Sequence, residues 1–406
     1  MTQNVFRTLA DITFKSADVL SNSLGFTSKV NRNYDDRFAK TGAKIGATTN
    51  MRLPGQFTFS NGAAIDIQSL SDRVMPLTLT KQYQRAFSVT SADLALSVDD
   101  FTERYTKPAM INMANEIDYD GLQLALQYAN NSVGTPGTAP NSTATFQALV
   151  AAGRRKLVEN LVPMGETLYM VAPPVVNEYG YQFLTQVFNP QNVIGEQYTS
   201  GVIARAGGFD WMESQLVPQY TTGVYSSSPV TSSGGQSGSV LATSGWGAGS
   251  TLDVGAVFTI ADVYAVNAQT KVSLGYLQQF TVTAKNVAGT THNLSISPAI
   301  VGPGSTAQNV DSLPGNNKAL TIVGATATSD NMSIAFHKNA FVFGTADLAP
   351  LSNGAVSKVV SLPELGLSCR VAMQDDIRSD SLLMRVDLLG GWAPLYPQLA
   401  TKVNFG

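Results

Sequence analysis

Residues 98–122, VDDFTERYTKPAMINMANEIDYDGL, decide how this chain is read. Phe101, Tyr105, Met113, Ile117 and Gly121, continued by Leu124 and Tyr128, fall at spacings near four. That is the period of one helical face, and it excludes the two-residue alternation of a strand. Ser97 or Asp99 can cap the start. Pro108 cannot donate a backbone hydrogen bond, so the helix is expected to begin or kink there. From Pro108 to Asn130 a rise of about 1.5 Å per residue gives roughly 34 Å, long enough for the spine of a subunit.

On the N-terminal side of this helix the pattern is different. MRLPGQFTFSNGAAIDIQSL (51–70) and RVMPLTLTKQYQRAFSVTSADLALS (73–97) alternate apolar and polar residues and are broken by Pro54, Gly55, Asn61, Gly62 and Pro76. Long antiparallel strands are expected there. Asn61-Gly62 is the hairpin turn signal, since both positions tolerate positive φ. Nothing in the pattern demands cover on both faces, so the hairpin is free to protrude. Residues 1–50 carry seven Lys or Arg against four Asp, which makes this arm the basic end of a chain whose remainder holds 19 basic and 25 acidic residues. Two readings of the arm stay open: its charges pair with a neighbouring surface, or they contact packaged nucleic acid.

On the C-terminal side the order becomes helix, strand, helix. ATFQALVAAGRRKLVENL (144–161) places Phe146, Leu149, Val150, Gly153, Leu157 and Leu161 on one helical face, ended by Pro163. ETLYMVA (166–172) suits a buried strand, and VVNEYGYQFLTQVF (175–188) follows Pro173-Pro174 with a second helical period. From Ser214 to Leu252 there is no Asp, Glu, Lys or Arg. This Ser/Thr/Gly tract reads as a flexible or solvated loop. AVFTIADVYAVN, QQFTVTAKNVA, HNLSISPAIV and ALTIVGAT then give short strands at short spacing, expected to form a small β-barrel or sandwich. It reads as an insertion, because NAFVFGTADLAP, LSCRVAMQDDI and LLMRVDLLGGWAPLYP resume the earlier style. The class is α+β.

Composition narrows the function. Charged residues are 14% of the 406, where an ordinary soluble domain has about 25%. A diffusing monomer relies on charge repulsion against association, whereas a protein packed against its own copies has less need of it. Self-assembly is therefore expected. A formal net charge of −3 gives no global pull toward nucleic acid. The start, MTQNVFRTLADITFKSADVL, lacks a signal-peptide pattern and no stretch reaches about 18 apolar residues, so a soluble product made in the cytoplasm, with no membrane partner, is expected.

Catalytic chemistry is thin. The two histidines, His292 and His337, sit in no metal-ligand spacing, and solvated or locally hydrogen-bonded rings are expected. The single Cys369 can form no internal disulfide and reads as a small buried hydrophobe. Asp99-Asp100 fits a helix start, and Asp375-Asp376 with Arg378 and Asp380 fits a polar turn, with a divalent-ion site as the sharper alternative. Gly245, Gly247 and Gly249 have no following Lys-Ser or Lys-Thr, so they make no phosphate cradle. No catalytic residue, cofactor or metal is assigned. Rival readings are a tail-tube or surface-layer protein, and a hydrolase using Asp375, Asp376 and Asp380.

Four stretches carry a resemblance: VDDFTERYTKPAMINMANEIDYDGL, RAGGFDWMESQLVP, GAVFTIADVYAVNAQTKVSLGYLQQFTVTA and LSCRVAMQDDIRSDSLLMRVDLLGGWAPLYPQLATKV. Their order and joint coverage are similar to the coat-protein family of the P22-like tailed bacteriophages. The resemblance implies an HK97-like fold with an N-terminal arm (1–50), an extended β-loop (51–97), a peripheral domain with the spine helix (98–142), an axial α/β domain (143–221), an inserted β-barrel domain (222–335) and a return segment (336–406). It implies a major capsid protein that assembles in the host bacterial cytoplasm into hexons and pentons of an icosahedral procapsid. The implied partners are scaffolding protein, portal protein, packaged double-stranded DNA and, as an option, a decoration protein. Arg32, Arg37, Lys40 and Lys44 of the arm, and Arg52 and Asn61 of the hairpin, are the candidate inter-subunit contacts. Relatives often use charged residues of an inserted-domain loop at that contact. This chain has none between Gln215 and Leu252, so Tyr220, Tyr225 or Trp246 would replace them.

Overall fold

The structure is a computed structural model that describes residues 14–35, 48–53, 73–90, 102–163, 165–184, 203, 205–287, 290–351, 356–362, 366–376, 378 and 381–406. The chain divides into two compact units. The first comprises Met1–Arg52, Val74–Gly121 and Phe341–Leu395, and the second Leu53–Arg73, Leu122–Ala340 and Tyr396–Gly406. The hairpin turn at Asn61-Gly62 and the caps Ser97 and Asp99 lie outside the described residues.

The first unit is organised by the 14-residue strand Ser381–Pro394. Along one edge it pairs with Leu367–Asp376 and then with Phe341–Ala346, and along the other with Lys81–Thr90, all antiparallel. The strand Asn31–Asp35 adds a parallel edge to Phe341–Ala346, and Val356–Leu362 flanks Leu367–Asp376. Met384, Val386, Leu388 and Leu389 are buried at the centre of this sheet. The strands Thr48–Leu53 and Arg73–Thr78 pair with each other. At Gly391 the chain runs close against Thr78: a Cβ there would stand 2.2 Å from the Thr78 carbonyl oxygen. Cys369 is buried in the strand Leu367–Asp376, as expected, and burial pushes its thiol up to about 12. Asp375 and Asp376 end that strand, opposite Leu382 and Ser381.

The long helix runs Lys107–Tyr128. Wider, π-helical winding over Thr102–Thr106 leads into it, so the start falls where Pro108 demands one. Its buried residues are Met110, Met113, Ala114, Ile117, Asp118, Leu122, Ala125 and Leu126, in steps of three and four. Of the stripe read from the sequence, Met113, Ile117 and Gly121 are buried, whereas Leu124 and Tyr128 are half-buried and Leu122, Ala125 and Leu126 continue the buried face instead. Gly121 stays on the stripe because the Trp392 indole covers it: a Cβ would meet Trp392 Cζ2 at 2.5 Å.

The second unit holds a six-stranded sheet of Asn131–Val133, Ala400–Asn404, Met332–His337, Leu168–Ala172, Phe209–Glu213 and Arg205–Ala206. The helices Thr143–Glu159 and Pro174–Leu184 pack on each other, and the first lies along Ala400–Asn404. Ser142 caps the first helix and Thr145 returns the bond. Phe146, Val150, Gly153 and Leu157 of the predicted face are buried, but Leu149 is half-buried and Leu161 falls beyond the helix end at Glu159 and is exposed; Phe146 meets the rings of Trp211, Phe183 and Phe405.

Between Phe209–Glu213 and Met332–His337 the chain builds a separate sheet in the order Val230–Thr231, Gly238–Ser244, Thr291–Ile300, Ser273–Val282, Val257–Val266 and Leu320–Ile322. It closes on itself. Val230 bridges Ala319, Thr231 N–H donates to Lys318 O at 2.9 Å, and Leu320 N–H donates to Pro229 O at 2.9 Å. Leu241, Phe258, Ile260, Phe280, Leu294 and Ile296 fill the interior of this small barrel. The charge-free tract is corrected: it contributes the strands Tyr220–Thr221, Val230–Thr231, Gly238–Ser244 and Thr251–Leu252. Backbone pairing needs no charge, and Leu241 and Thr243 alternate inward within a composition that reads as loop.

Candidate functional site

Among the described residues no group of three His, Cys, Asp or Glu could hold a metal ion. The polar side chains act instead as fasteners between elements. In the first unit the strand Lys81–Thr90 lies against the long helix through a ladder. Lys81 Nζ meets Asp120 Oδ1 at 2.6 Å, Tyr83 OH donates to Asp120 Oδ2 at 2.8 Å, and Arg85 donates to Glu116 Oε2 and Asn112 Oδ1, each at 2.7 Å. The register follows from geometry. Helix residues 112, 116 and 120 step by about 6 Å and strand residues 85, 83 and 81 by about 6.6 Å, close enough for Asp120 to take both Lys81 and Tyr83 and for Arg85 to bridge Glu116 and Asn112. Burial first, then Asp120, raises the Tyr83 hydroxyl far above its ordinary range, so it remains a donor.

The next acid on the helix faces the arm. Asp118 is buried and accepts from Gly25 N–H at 2.7 Å, Thr27 N–H at 2.9 Å and the Thr27 hydroxyl, which fixes the short helix Phe26–Lys29. Burial raises its pKa, and those three hydrogen bonds oppose the rise. Deeper in the sheet, Asp387 is fully buried and takes Arg370 Nη2 at 2.6 Å and Arg385 Nε at 2.7 Å, while Arg370 Nη1 donates to Ala349 O at 2.6 Å.

In the second unit the barrel is seated on its surroundings by backbone recognition. Gln279 accepts from Ser132 N–H and donates to Ser132 O, both at 2.9 Å. Thr281 donates to Ala129 O at 2.8 Å, and Gln127 to Thr283 O at 2.5 Å. Lys156 lies over the Tyr276 ring at 3.5 Å, a cation–π contact.

Of the two expectations, solvated or locally hydrogen-bonded rings, the first is corrected: both histidines are buried. His292 stands 4.9 Å from the Trp246 ring. His337 Nδ1 accepts from Asn339 N–H, and Nε2 meets Glu166 Oε2 at 2.8 Å. Lys338 and His337, in that order, hold Glu166 below the usual carboxylate range.

The candidate contact residues are scattered. Arg32 is half-buried in the strand Asn31–Asp35, and desolvation lowers its guanidinium pKa. Arg52 lies in the strand Thr48–Leu53, and Arg37, Lys40, Lys44 and Asn61 lie outside the described residues. Tyr220 and Trp246 are 2% and 3% exposed within the single chain. Trp246 belongs to the barrel core, donating to Thr243 Oγ1 at 2.8 Å. Tyr225 packs against that core and donates to Gly324 O at 2.6 Å. These rings fill the subunit itself. The ladder at Lys81, Tyr83 and Arg85 was missed, although its signal was present as basic and hydroxyl residues two apart beside helix acids four apart.

The fold and its fasteners define a protein whose work is done by packed surfaces, and the comparisons say which kind: a major capsid protein of a tailed phage. The family model described as "P22 coat protein - gene protein 5" matches residues 18–406, and the chain belongs to that family. A shell of identical subunits and a place in the virion capsid come with membership. No curated protein matches the chain. Among solved structures it is similar to a chain from Mycobacterium phage Che8 (11% identity, TM-score 0.44, covering 93% of this chain and 90% of that one). Another is from the capsid of cyanophage P-SCSP1u (10% identity, TM-score 0.44, 94% and 88% covered). A third is the CUS-3 coat protein I-domain (30% identity, TM-score 0.20, 24% and 94% covered). Likenesses at these TM-scores add nothing to the family assignment. No helix among the described residues is long and apolar enough to cross a membrane.

Proposed function

We propose that the chain assembles in the bacterial cytoplasm into the hexons and pentons of an icosahedral procapsid, around scaffolding protein and a portal, and later encloses double-stranded DNA, with an optional decoration protein outside. Its role is structural, not enzymatic. The match over residues 18–406 carries this reading. Repetition makes it workable: contacts modest enough to correct errors become persistent once the lattice closes. The segments divide the labour as arm (1–50), extended loop (51–97), spine (98–142), axial unit (143–221), inserted barrel (222–335) and return (336–406). The paired strands Thr48–Leu53 and Arg73–Thr78, the helix Lys107–Tyr128 and the closed barrel support that division. Arm residues Arg32, Arg37, Lys40 and Lys44 bridge neighbours or face the interior. Arg52 and Asn61 lie over an adjacent subunit, and of the three inserted-domain aromatics Tyr225 keeps the most surface for a neighbour.

Electron microscopy of the chain co-expressed with its neighbouring reading frames tests the proposal. Closed shells are expected, and open tubes or flat sheets would refute it. Deleting residues 55–75 should leave soluble subunits that form no shells; normal particles from that deletion would overturn the role given to the loop.

A further inference from the structure

The C-terminal strand Ala400–Asn404 carries a lysine that none of these roles uses. Lys402 is 1% exposed, and its Nζ donates to the Gly255 carbonyl at 2.6 Å. Gly255 begins the turn into the barrel strand Val257–Val266. Its N–H donates to Val282 O, and Val282 N–H returns to Ala256 O, both at 2.8 Å. Gly255 has φ +90°, and a Cβ there would meet the Leu126 carbonyl oxygen at 2.9 Å, so only glycine seats that carbonyl over the amine.

No carboxylate forms an ion pair with Lys402 among the described residues. The groups facing it are few. The Tyr220 ring is centred 5.8 Å from Nζ. Asp330, cross-strand from Tyr220, accepts through Oδ1 from Gly137 and Gly406 N–H. Asp253, just before the turn, is paired with Lys285 at 2.5 Å. The strand neighbours Ile334 and Ser132 carry no charge. An ammonium held there loses its hydration and gains one carbonyl and, at 5.8 Å, the face of one aromatic ring, a poor exchange for a buried charge. A neutral amine in the same place loses little.

We propose that Lys402 is a proton-operated latch between the barrel and the C-terminal strand: neutral, it closes the seat at Gly255, and on taking up a proton it opens that seat to water. Burial lowers the Lys402 pKa to about 7 from 10.5. A cation whose closed-state pKa is lowered favours the closed form at high pH. The closed-to-open ratio should therefore rise with pH, by up to about tenfold per unit above 7, and level off below it.

The test is amide hydrogen exchange on the purified full-length chain from pH 6 to 9, corrected for intrinsic rates. Protection of the Gly255 and Val282 amides should rise about tenfold per unit above pH 7 in the native chain. In Lys402→Met it should stay high and flat, and Tyr220→Phe should keep the native slope. A flat native profile, an unchanged slope in Lys402→Met, or a slope abolished by Tyr220→Phe would overturn the latch. Should Lys402→Met fail to fold, the Lys402 side-chain NMR resonance of the native chain decides: a midpoint near 7 supports the proposal and one near 10 ends it.

Discussion

At Asp387 two arginines share one buried carboxylate, yet their environments differ. The Arg370 side chain is 8% exposed and that of Arg385 is 42% exposed. Removing Arg370 strands a buried charge and frees the Ala349 carbonyl, so Arg370→Ala should cost roughly 3–5 kcal/mol in urea unfolding. Arg385→Ala should cost about 1 kcal/mol or less, since water already screens that partner. Equal losses from the two variants would mean that burial does not set the strength of this cluster. Of the residues at this scale, Cys369 was legible because a lone apolar thiol in a strand pattern has one ordinary fate. Asp387 was not legible: MRVDLL shows an acid in a strand, but only the pairing of Arg370 with Asp387 across two strands turns it into a buried ion pair.

The ladder between Lys81–Thr90 and the long helix belongs to the scale of elements. Arg85→Glu places a carboxylate against Glu116, and the helix should lose about 1 kcal/mol or more of support. Adding Glu116→Arg restores the pair with its sign reversed, and a double-mutant cycle in thermal unfolding should return a favourable coupling of about 0.5 kcal/mol or more. A coupling near zero would show that the strand is held by its backbone pairing to Ser381–Pro394 alone. The helix was legible at this scale because its period is local. Its exact buried stripe was not, since that depends on which side Trp392 and the arm cover. The Ser/Thr/Gly tract misled for the opposite reason: its strands are stabilised by partners such as Thr291–Ile300, about 50 residues further on, and by apolar side chains too few to mark the composition.

For the molecule as a whole, the barrel is the separable part. Its entry and exit lie side by side: Thr222 N–H donates to Thr328 O at 3.1 Å and Ala327 N–H to Gly223 O at 2.7 Å. Among the described residues its core cluster lies between Tyr225 and Ile322. Residues 223–327 expressed alone should give a monomer with one cooperative thermal transition and dispersed amide resonances. A molten or aggregated product would mean that the seat at Ser132, Ala129 and Gly255 is needed for folding, not only for placement. The opposite excision, a short linker joining Thr222 to Thr328, should leave the sheet around Met332–His337 folded, as read by retained protection of its amides.

Unaided, the sequence settled the α+β class, the long helix and its start at Pro108, the helix–strand–helix order, the inserted β segment and the kind of protein. The elements rest on periods and breaks among near neighbours, and the kind of protein on the resemblance of four stretches to a known family. The tertiary structure alone decided which charges become fasteners. Lys81 finds Asp120 across 39 positions and Lys402 finds Gly255 across 147. It also decided that Trp246 and Tyr220 point inward. Burial and partnership are properties of a closed surface, and a linear pattern carries no information about which distant backbone will close over a given side chain.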